Sequence, residues 1–448
     1  RNKKKWKHRS IVKEISTHSS HLHVQSQSLS AVEWYSVATQ GSADLWCCIH
    51  MRKLSFSVPV LVLLVPLAVW CVCCSTHALA LDNGLGLTPP MGWNSWNHFG
   101  CHPSEEIVKR VADLFVSTGM RDAGYEYVNL DDCVFVGRNS SGYLVPDPNT
   151  FPSGIEALAE YVHSKGLKFG IYSCAGTKTC QGRPGMAGFE DKDAEYFASV
   201  GVDFLKVDWC HTEGMHPQDR YTTIRDALLR TKRPIFFSMC EWGVLKPWEW
   251  AMPVANSWRI SGDIKDIWLR VEQIIGDLEN LGSYAGVGGW NDPDMLEIGN
   301  GGLSETEEIT HMSLWCLTNA PLLAGNDLSS MSNTTLAILT NEEAIAVNQD
   351  KAGKAGMLRK KSGLFGVLQV WTKELSNNEH AAVLFNKGHL EGEIELQWSD
   401  LQHTITTPSK KYAVRDLWQK QDLGVFTDSI KLPVEYRGVR MLRLTPVN

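Results

Sequence analysis

Between residues 90 and 350, short apolar strands alternate with amphipathic helices, and this alternation most constrains the fold. A first strand at residues 90–93 precedes a helix that Ser104 caps. Ile107, Val111, Leu114 and Phe115 share one face of that helix, and Gly119 follows its end. A strand at 125–130 leads to a helix with Ile155, Leu158 and Val162 on one side, closed by Gly166. Residues 168–172 form the next strand, and a helix at 191–200 stops at Gly201 before a strand at 203–208. Further strands are expected at 235–239, 257–260, 285–288 and 321–324. Eight strands, most followed by a helix, over roughly 250 residues predict a (β/α)₈ TIM barrel. A doubly wound open sheet is the alternative, but the glycine-rich phosphate loop usual after its first strand is missing.

After Lys354 the pattern changes. Strands at 363–372, 381–386, 392–398 and 439–444 follow one another without helices, and Glu393 to Trp398 alternates polar and apolar residues. The expected division is a barrel at 81–354 and a small antiparallel β domain at 355–448.

Residues 1–50 lack hydrophobic periodicity and precede the first methionine, Met51. They read as translated sequence upstream of the start, or as a disordered extension. Residues 51–80 read as a cleaved signal peptide: Arg52 and Lys53, an apolar run at 58–74, then Ala78-Leu-Ala80. The run is short for a membrane span and holds Pro59 and Pro66. The mature protein is expected to begin near Leu81, to carry no membrane anchor and to enter the secretory pathway, for secretion or the vacuole. Beyond the leader remain Cys101, Cys133, Cys174, Cys180, Cys210, Cys240 and Cys316, an odd number whose wide spacing is unlike a zinc site. Asn139 and Asn333 open glycosylation sequons. A net charge of −7 gives no electrostatic reason to expect nucleic acid as a partner.

Barrel enzymes keep their chemistry at the C-terminal ends of the strands. Here those ends carry Gly92-Trp-Asn-Ser-Trp96, Asp131-Asp-Cys133, Tyr172, Lys206-Val-Asp208, Cys240-Glu-Trp242, Arg259 to Asp263 and Trp290 to Met295. One acidic residue at such a place is more often a helix cap or a solvated charge. Carboxylates and tryptophans at most of the ends describe a pocket. Carboxylates and lysine bind hydroxyls, and a tryptophan face covers the C–H patch of a sugar. A retaining glycosidase needs a nucleophilic carboxylate and an acid/base about 5 Å apart. Lys206 and Asp208 lie two apart on one strand face, so Asp208 is expected ionised, its pKa lowered by Lys206. Asp263 suits the acid role if its pKa is raised. A direct Arg259–Asp263 pair would oppose that rise, so Arg259 is expected to act mainly as a sugar ligand.

These motifs, with Gly289-Trp-Asn-Asp-Pro-Asp-Met-Leu296, resemble those of the α-galactosidases of glycoside hydrolase family 27, in the family's order over residues 81–448. The resemblance implies a (β/α)₈ barrel with a C-terminal β-sandwich, α-galactosides as substrates, and double displacement without metal or cofactor. It casts Asp208 as nucleophile and Asp263 as acid/base. Asp131 and Asp132 would hold the O4 and O6 side of galactose, and Trp96 would stack on the ring. Lys206, Tyr172, Arg259 and Asp294 would add contacts, with Cys240 and Trp242 near the 2-hydroxyl. It also implies disulfides Cys101–Cys133 and Cys180–Cys210.

Val134, Cys174 and Trp209 depart from the family pattern, which usually has Trp, Asp and Asn there. Cys174 is an extra thiol that threatens to mispair near Cys180 and Cys210. An α-N-acetylgalactosaminidase would need space at the sugar's 2-position, where Glu241 and Trp242 are bulky. A galactose-binding protein without catalysis is opposed by the presence of both carboxylates.

Overall fold

The computed structural model describes residues 80–401 and 409–447. The expected upstream extension and nearly all of the signal peptide lie outside them. The barrel strands are β1 (Met91–Asn94), β2 (Tyr127–Asn129), β3 (Lys168–Cys174), β4 (Phe204–Asp208), β5 (Phe236–Cys240), β6 (Ser257–Arg259), β7 (Trp290–Asp292) and β8 (Leu322–Ala324). They form one parallel sheet in the order β8-β1-β2-β3-β4-β5-β6-β7. Leu296 joins its two edges: its N–H donates to Leu323 (2.8 Å) and its carbonyl accepts from Gly325 (3.0 Å). The barrel is thereby closed.

Helices α1 (Glu105–Ser117), α2 (Gly154–Ser164), α3 (Glu190–Ser199) and α4 (Pro217–Arg230) cover the first half. Helices α5 (Trp268–Leu278), α6 (Glu305–Leu317), α7 (Asn333–Leu339) and α8 (Glu342–Asn348) cover the second. Ser104 caps α1 by accepting from the Ile107 N–H, and a capping box of Ser304 and Glu307 starts α6. After β5 only a short 3₁₀ turn, Pro247–Glu249, stands where a helix would.

Alternation on β4 sets the site. Leu205 and Val207 are fully buried in the main core, while Phe204 packs inside the barrel with Tyr127, Phe236, Met295 and Leu323. Phe204 and Phe236 stack at 4.9 Å. Lys206 and Asp208 share the Phe204 face, so the apolar plug lies below them and their polar ends rise toward the mouth. Gly170 on β3 is needed in this crowded interior: a Cβ there would sit 1.9 Å from Asn129 Oδ1.

The β7 strand corrects the sequence expectation. Residues 285–288 form a turn closed by a Gly286–Gly289 bridge, and the strand is Trp290–Asp292. Hydropathy passed over it because Asn291 and Asp292 are polar yet buried; Asn291 accepts from Trp258 Nε1 (2.8 Å) and donates to the Leu281 carbonyl (2.8 Å).

The C-terminal domain is a β-sandwich. One sheet holds β9 (Met357–Ser362), β10 (Leu368–Glu374), β11 (His380–Asn386), β13 (Lys411–Asp416), β14 (Gln421–Thr427) and β16 (Val439–Pro446), in the order β9-β10-β11-β16-β13-β14. The other pairs β12 (Gly392–Gln397) with β15 (Ser429–Val434). Val370, Leu384, Ile394, Leu396, Tyr412, Ile430 and Leu442 fill the space between. The expected strand at 363–372 is instead a hairpin turn running into β10, because Gly363, Phe365 and Gly366 all have positive φ. The domain's other face packs on the barrel: Trp371, Val383, Phe385 and Met441 belong to the barrel's core cluster, and α6 is buried almost all round between the two.

Candidate active site

A cavity of about 890 Å³ opens at the C-terminal ends of the barrel strands. Trp96, Asp131, Asp132, Tyr172, Lys206, Asp208, Trp242, Arg259, Asp263 and Asp294 line it. Cys240 does not. It is 1 % exposed and stands behind the wall, its sulfur 3.4 Å from Arg259 Nη1.

Asp131 and Asp132 follow β2. Asp131 Oδ2 accepts from Lys206 Nζ (2.8 Å) and from Asn94 Nδ2 (2.9 Å). Asp132 accepts from the backbone N–H of Cys133 (2.7 Å) and of Gln181 (3.0 Å). Two disulfides flank this pair, Cys101–Cys133 and Cys180–Cys210, as the family resemblance implied. The second ties the loop holding Gln181 to the end of β4. Asn94 and Gln181 therefore orient the two carboxylates, and the Ser95 hydroxyl accepts from the Asp131 backbone N–H at 3.0 Å. Asn94 and Ser95 were visible in the strand-one motif, but nothing in the residue pattern marked Gln181, whose contribution is its main chain.

Asp208 is 8 % exposed. Its Oδ2 accepts from the Tyr172 hydroxyl (3.0 Å) and its Oδ1 from the Trp209 N–H (2.9 Å). Burial pushes its carboxyl up to about 6, outweighing the pull of Lys206. This corrects the expectation of a lowered value. The Lys206 ammonium pairs with Asp131 rather than Asp208. Burial draws Lys206 down, but Asp131, Cys240, Asp208 and Asp294 outweigh it and hold its pKa well above the ordinary value.

Asp263 is corrected in the opposite sense. Its side chain is 67 % exposed and its Oδ1 accepts from Arg259 Nη2 at 3.1 Å. Partial burial would raise its pKa, but Arg259, then Lys206 and Arg270, hold it below the ordinary carboxylate range. Arg259 is 2 % exposed and also pairs with Asp294 at 2.7 Å, so it is an ion-pair hub as well as a wall of the cavity. Asp294 also accepts from the Ile264 N–H (2.8 Å).

Glu241 is fully buried and does not line the cavity, so Trp242 alone supplies bulk on that side. Cys174 ends β3 and lies buried. Its sulfur accepts from the Cys210 N–H at 3.1 Å, with the carbonyls of Cys210 (3.1 Å) and Asp208 (3.3 Å) in reach of its thiol. Burial pushes that thiol up to about 12, so it locks two strand ends and leaves Cys180–Cys210 intact. Trp209 turns to the helix side and packs on Tyr221 of α4 at 5.6 Å. Val134 is buried in the core.

The outer cavity holds residues that sequence reasoning missed. Asn97 Nδ2 (2.8 Å) and Asn300 Nδ2 (2.6 Å) both donate to Glu297, and all three line the wall. Glu297 follows the Asp-Pro-Asp motif on the loop after β7, which was the one signal that could have found it.

Residues 88–350, more than half of the chain, match the family described as Alpha galactosidase A. The chain belongs to that family. Residues 365–444 match the family's C-terminal β-sandwich domain. The α-galactosidase of Coffea arabica is 49 % identical over 374 residues, 83 % of this chain and 97 % of the relative. Among solved structures, α-galactosidase I from Mortierella vinacea superposes with a TM-score of 0.78 at 38 % identity, covering 82 % of this chain and 98 % of that one. The Saccharomyces cerevisiae α-galactosidase with raffinose gives 0.78 at 30 % identity, covering 82 % and 99 %.

Proposed function

We propose that the protein is a retaining exo-α-galactosidase that removes terminal α-D-galactosyl residues from galacto-oligosaccharides, galactomannans or galactolipids. The observation that carries this reading is that Asp208, at the end of β4, and Asp263, after β6, line one cavity in a member of this family. Asp208 is the nucleophile; its oxygens are aimed by Tyr172 and the Trp209 N–H. Asp263 protonates the leaving oxygen and then activates water, in the two-step scheme that retains configuration. Asp131, Asp132 and Lys206 bind the hydroxyls on the O4 and O6 side, Trp96 stacks on the ring, and Trp242 bounds the 2-position. Arg259 and Asp294 add polar contacts from the wall beside Asp263.

In this reading Trp242, which lines the cavity, takes up the space a 2-acetamido group would need, which favours galactose over its N-acetyl analogue. Secretion through a signal peptide at 51–80 and glycans on Asn139 and Asn333 belong to the same reading. Both asparagines are exposed, and among the described residues no helix is long and apolar enough to cross a membrane.

The test is hydrolysis of a chromogenic α-galactoside beside its N-acetyl analogue, with the first-formed anomer followed by NMR. α-Galactose as first product and little turnover of the analogue are expected. Inversion, or turnover undiminished in Asp208→Asn, would refute the scheme.

A further inference from the structure

Arg259 is hydrogen-bonded unevenly. Its Nη2 has two hydrogens but three acceptors in reach: Asp294 Oδ2 at 2.7 Å, Asp263 Oδ1 at 3.1 Å and the Ser261 carbonyl at 3.2 Å. At the other end, Nη1 meets only the Cys240 sulfur at 3.4 Å, and the buried Nε has no partner. The residue after Cys240 is Glu241, fully buried, with no partner on either carboxyl oxygen. A buried carboxyl and a buried N–H left unpaired on neighbouring strand ends each cost desolvation energy that their pairing would recover.

The charges around them explain why they stay apart in the free protein. Glu241 lies within electrostatic reach of Arg259 on β6, Asp292 on β7, Asp208 on β4 and Tyr221 on α4. Burial first, then Asp292 and Asp208, push its carboxyl well above the ordinary range against the pull of its own backbone N–H and of Arg259, which favours the protonated form. Arg259 meanwhile spends its charge on Asp294 and Asp263. That is the wrong state for the first chemical step, in which Asp263 must hold a proton.

We propose that Glu241 is a positioning residue, the alternative partner of Arg259, taking up the guanidinium charge through Nε when Asp263 gives it up to carry the acid proton. The exchange balances: Asp263 takes one proton from the solvent its exposed carboxyl faces, Glu241 returns one to solvent, and neither the proton count nor the net charge of the cluster changes. The two carboxyls titrate as a pair across Arg259. This rests on the reading of Asp263 as the acid.

The test is the pH profile of kcat/KM for E241Q on two α-galactosides, one with an alkyl leaving group and one with 2,4-dinitrophenolate. The amide matches the neutral carboxyl in shape but cannot take over the charge. The expected result is a peak lowered about tenfold with the alkyl leaving group and an optimum moved to lower pH, roughly one pK unit of coupling lost. The dinitrophenyl substrate, which leaves without a proton, should be nearly unaffected. E241D, which can still ionise, should restore the optimum. Equal loss on both substrates, or an unmoved optimum, would overturn the proposal. D263N separates the two ideas: equal loss on both leaving groups there would sink the acid assignment itself. Infrared spectroscopy gives a check independent of turnover. At a pH where Asp263 is ionised, the protonated carboxyl stretch assigned to Glu241 by its loss in E241Q should be present in the wild type and lost in D263N, and its persistence there would also overturn the exchange.

Discussion

Asp208 and Asp263 sit in environments that push their pKa values apart in the direction opposite to the roles proposed for them. Asp208 is raised to about 6 by burial, while Asp263 is held low chiefly by Arg259. Catalysis needs one proton on the pair, so activity should fall both when the pair gains its second proton and when it loses its last. The kcat/KM profile is therefore expected to be a bell with its optimum on the acid side of about 6. Tyr172→Phe removes the hydroxyl at 3.0 Å from Asp208 Oδ2, which favours the ionised carboxylate. Losing a hydrogen bond to a charged group is worth about 1.5–3 kcal/mol, so the midpoint of the bell should move up by roughly half to one pH unit. A midpoint that stays put would mean the hydroxyl does not bear on Asp208. Asp263→Asn should cost on the order of 10²–10⁴ in kcat/KM with an alkyl leaving group.

The elements differ in how readily the sequence discloses them. The β4 strand announces itself by alternation, and its Lys206 and Asp208 do share a face. The β7 strand does not, because its polar residues are satisfied inside the protein, Asn291 by Trp258 and Leu281 and Asp292 by the Asp294 N–H. Of the residues expected to touch the sugar, Cys240 stays off the cavity wall, as does Glu241 beside it. Backbone strain explains that failure: Trp242 has φ 58°, so the chain turns sharply after β5 and carries Trp242 to the cavity while its two predecessors stay buried. Ion pairing was the least legible level, since Lys206 and Arg259 each had several carboxylates within sequence reach and only three-dimensional distance chooses among them.

The loop after β3 shows how an element can serve both stability and chemistry. The Cys180–Cys210 bond closes a segment of sequence separation 30 and holds Gln181 against Asp132. Replacing both cysteines by alanine should lower stability by about 3 kcal/mol and should raise KM for the galactoside as Asp132 loses a donor. A destabilised protein with unchanged KM would assign the bond to stability alone. Cys174, Cys240 and Cys316 should titrate as three thiols per chain in the mature protein once it is denatured without reductant. In the native state they should not react, because all three are buried.

At the scale of the whole molecule, barrel and sandwich share an apolar interface, and a lysine is buried in it. Lys373 on β10 donates to the Asn319 side chain just beyond α6 and to the Val347 carbonyl in α8, so one side chain of the sandwich bridges two parts of the barrel. It is fully buried, and burial pushes its ammonium down to about 7 although Asp350 and Cys316 pull the other way. The sign of the consequence follows from proton counting. Between about 7 and the ordinary lysine value of 10.5 the unfolded chain holds a proton that the native protein lacks, so native stability rises with pH in that window. Below about 7 both states are protonated and this contribution to the slope vanishes. Lys373→Met cannot titrate. Urea unfolding of the two proteins compared at several pH values should therefore show the wild type gaining, relative to the variant, up to about 1.4 kcal/mol per pH unit above neutrality. The variant loses two hydrogen bonds at the interface, which shifts its stability by a constant and leaves the difference in slope untouched. Parallel stability curves would mean that Lys373 keeps its proton in the native state, with the Asn319 and Val347 oxygens sufficient to hold a charged ammonium between the domains.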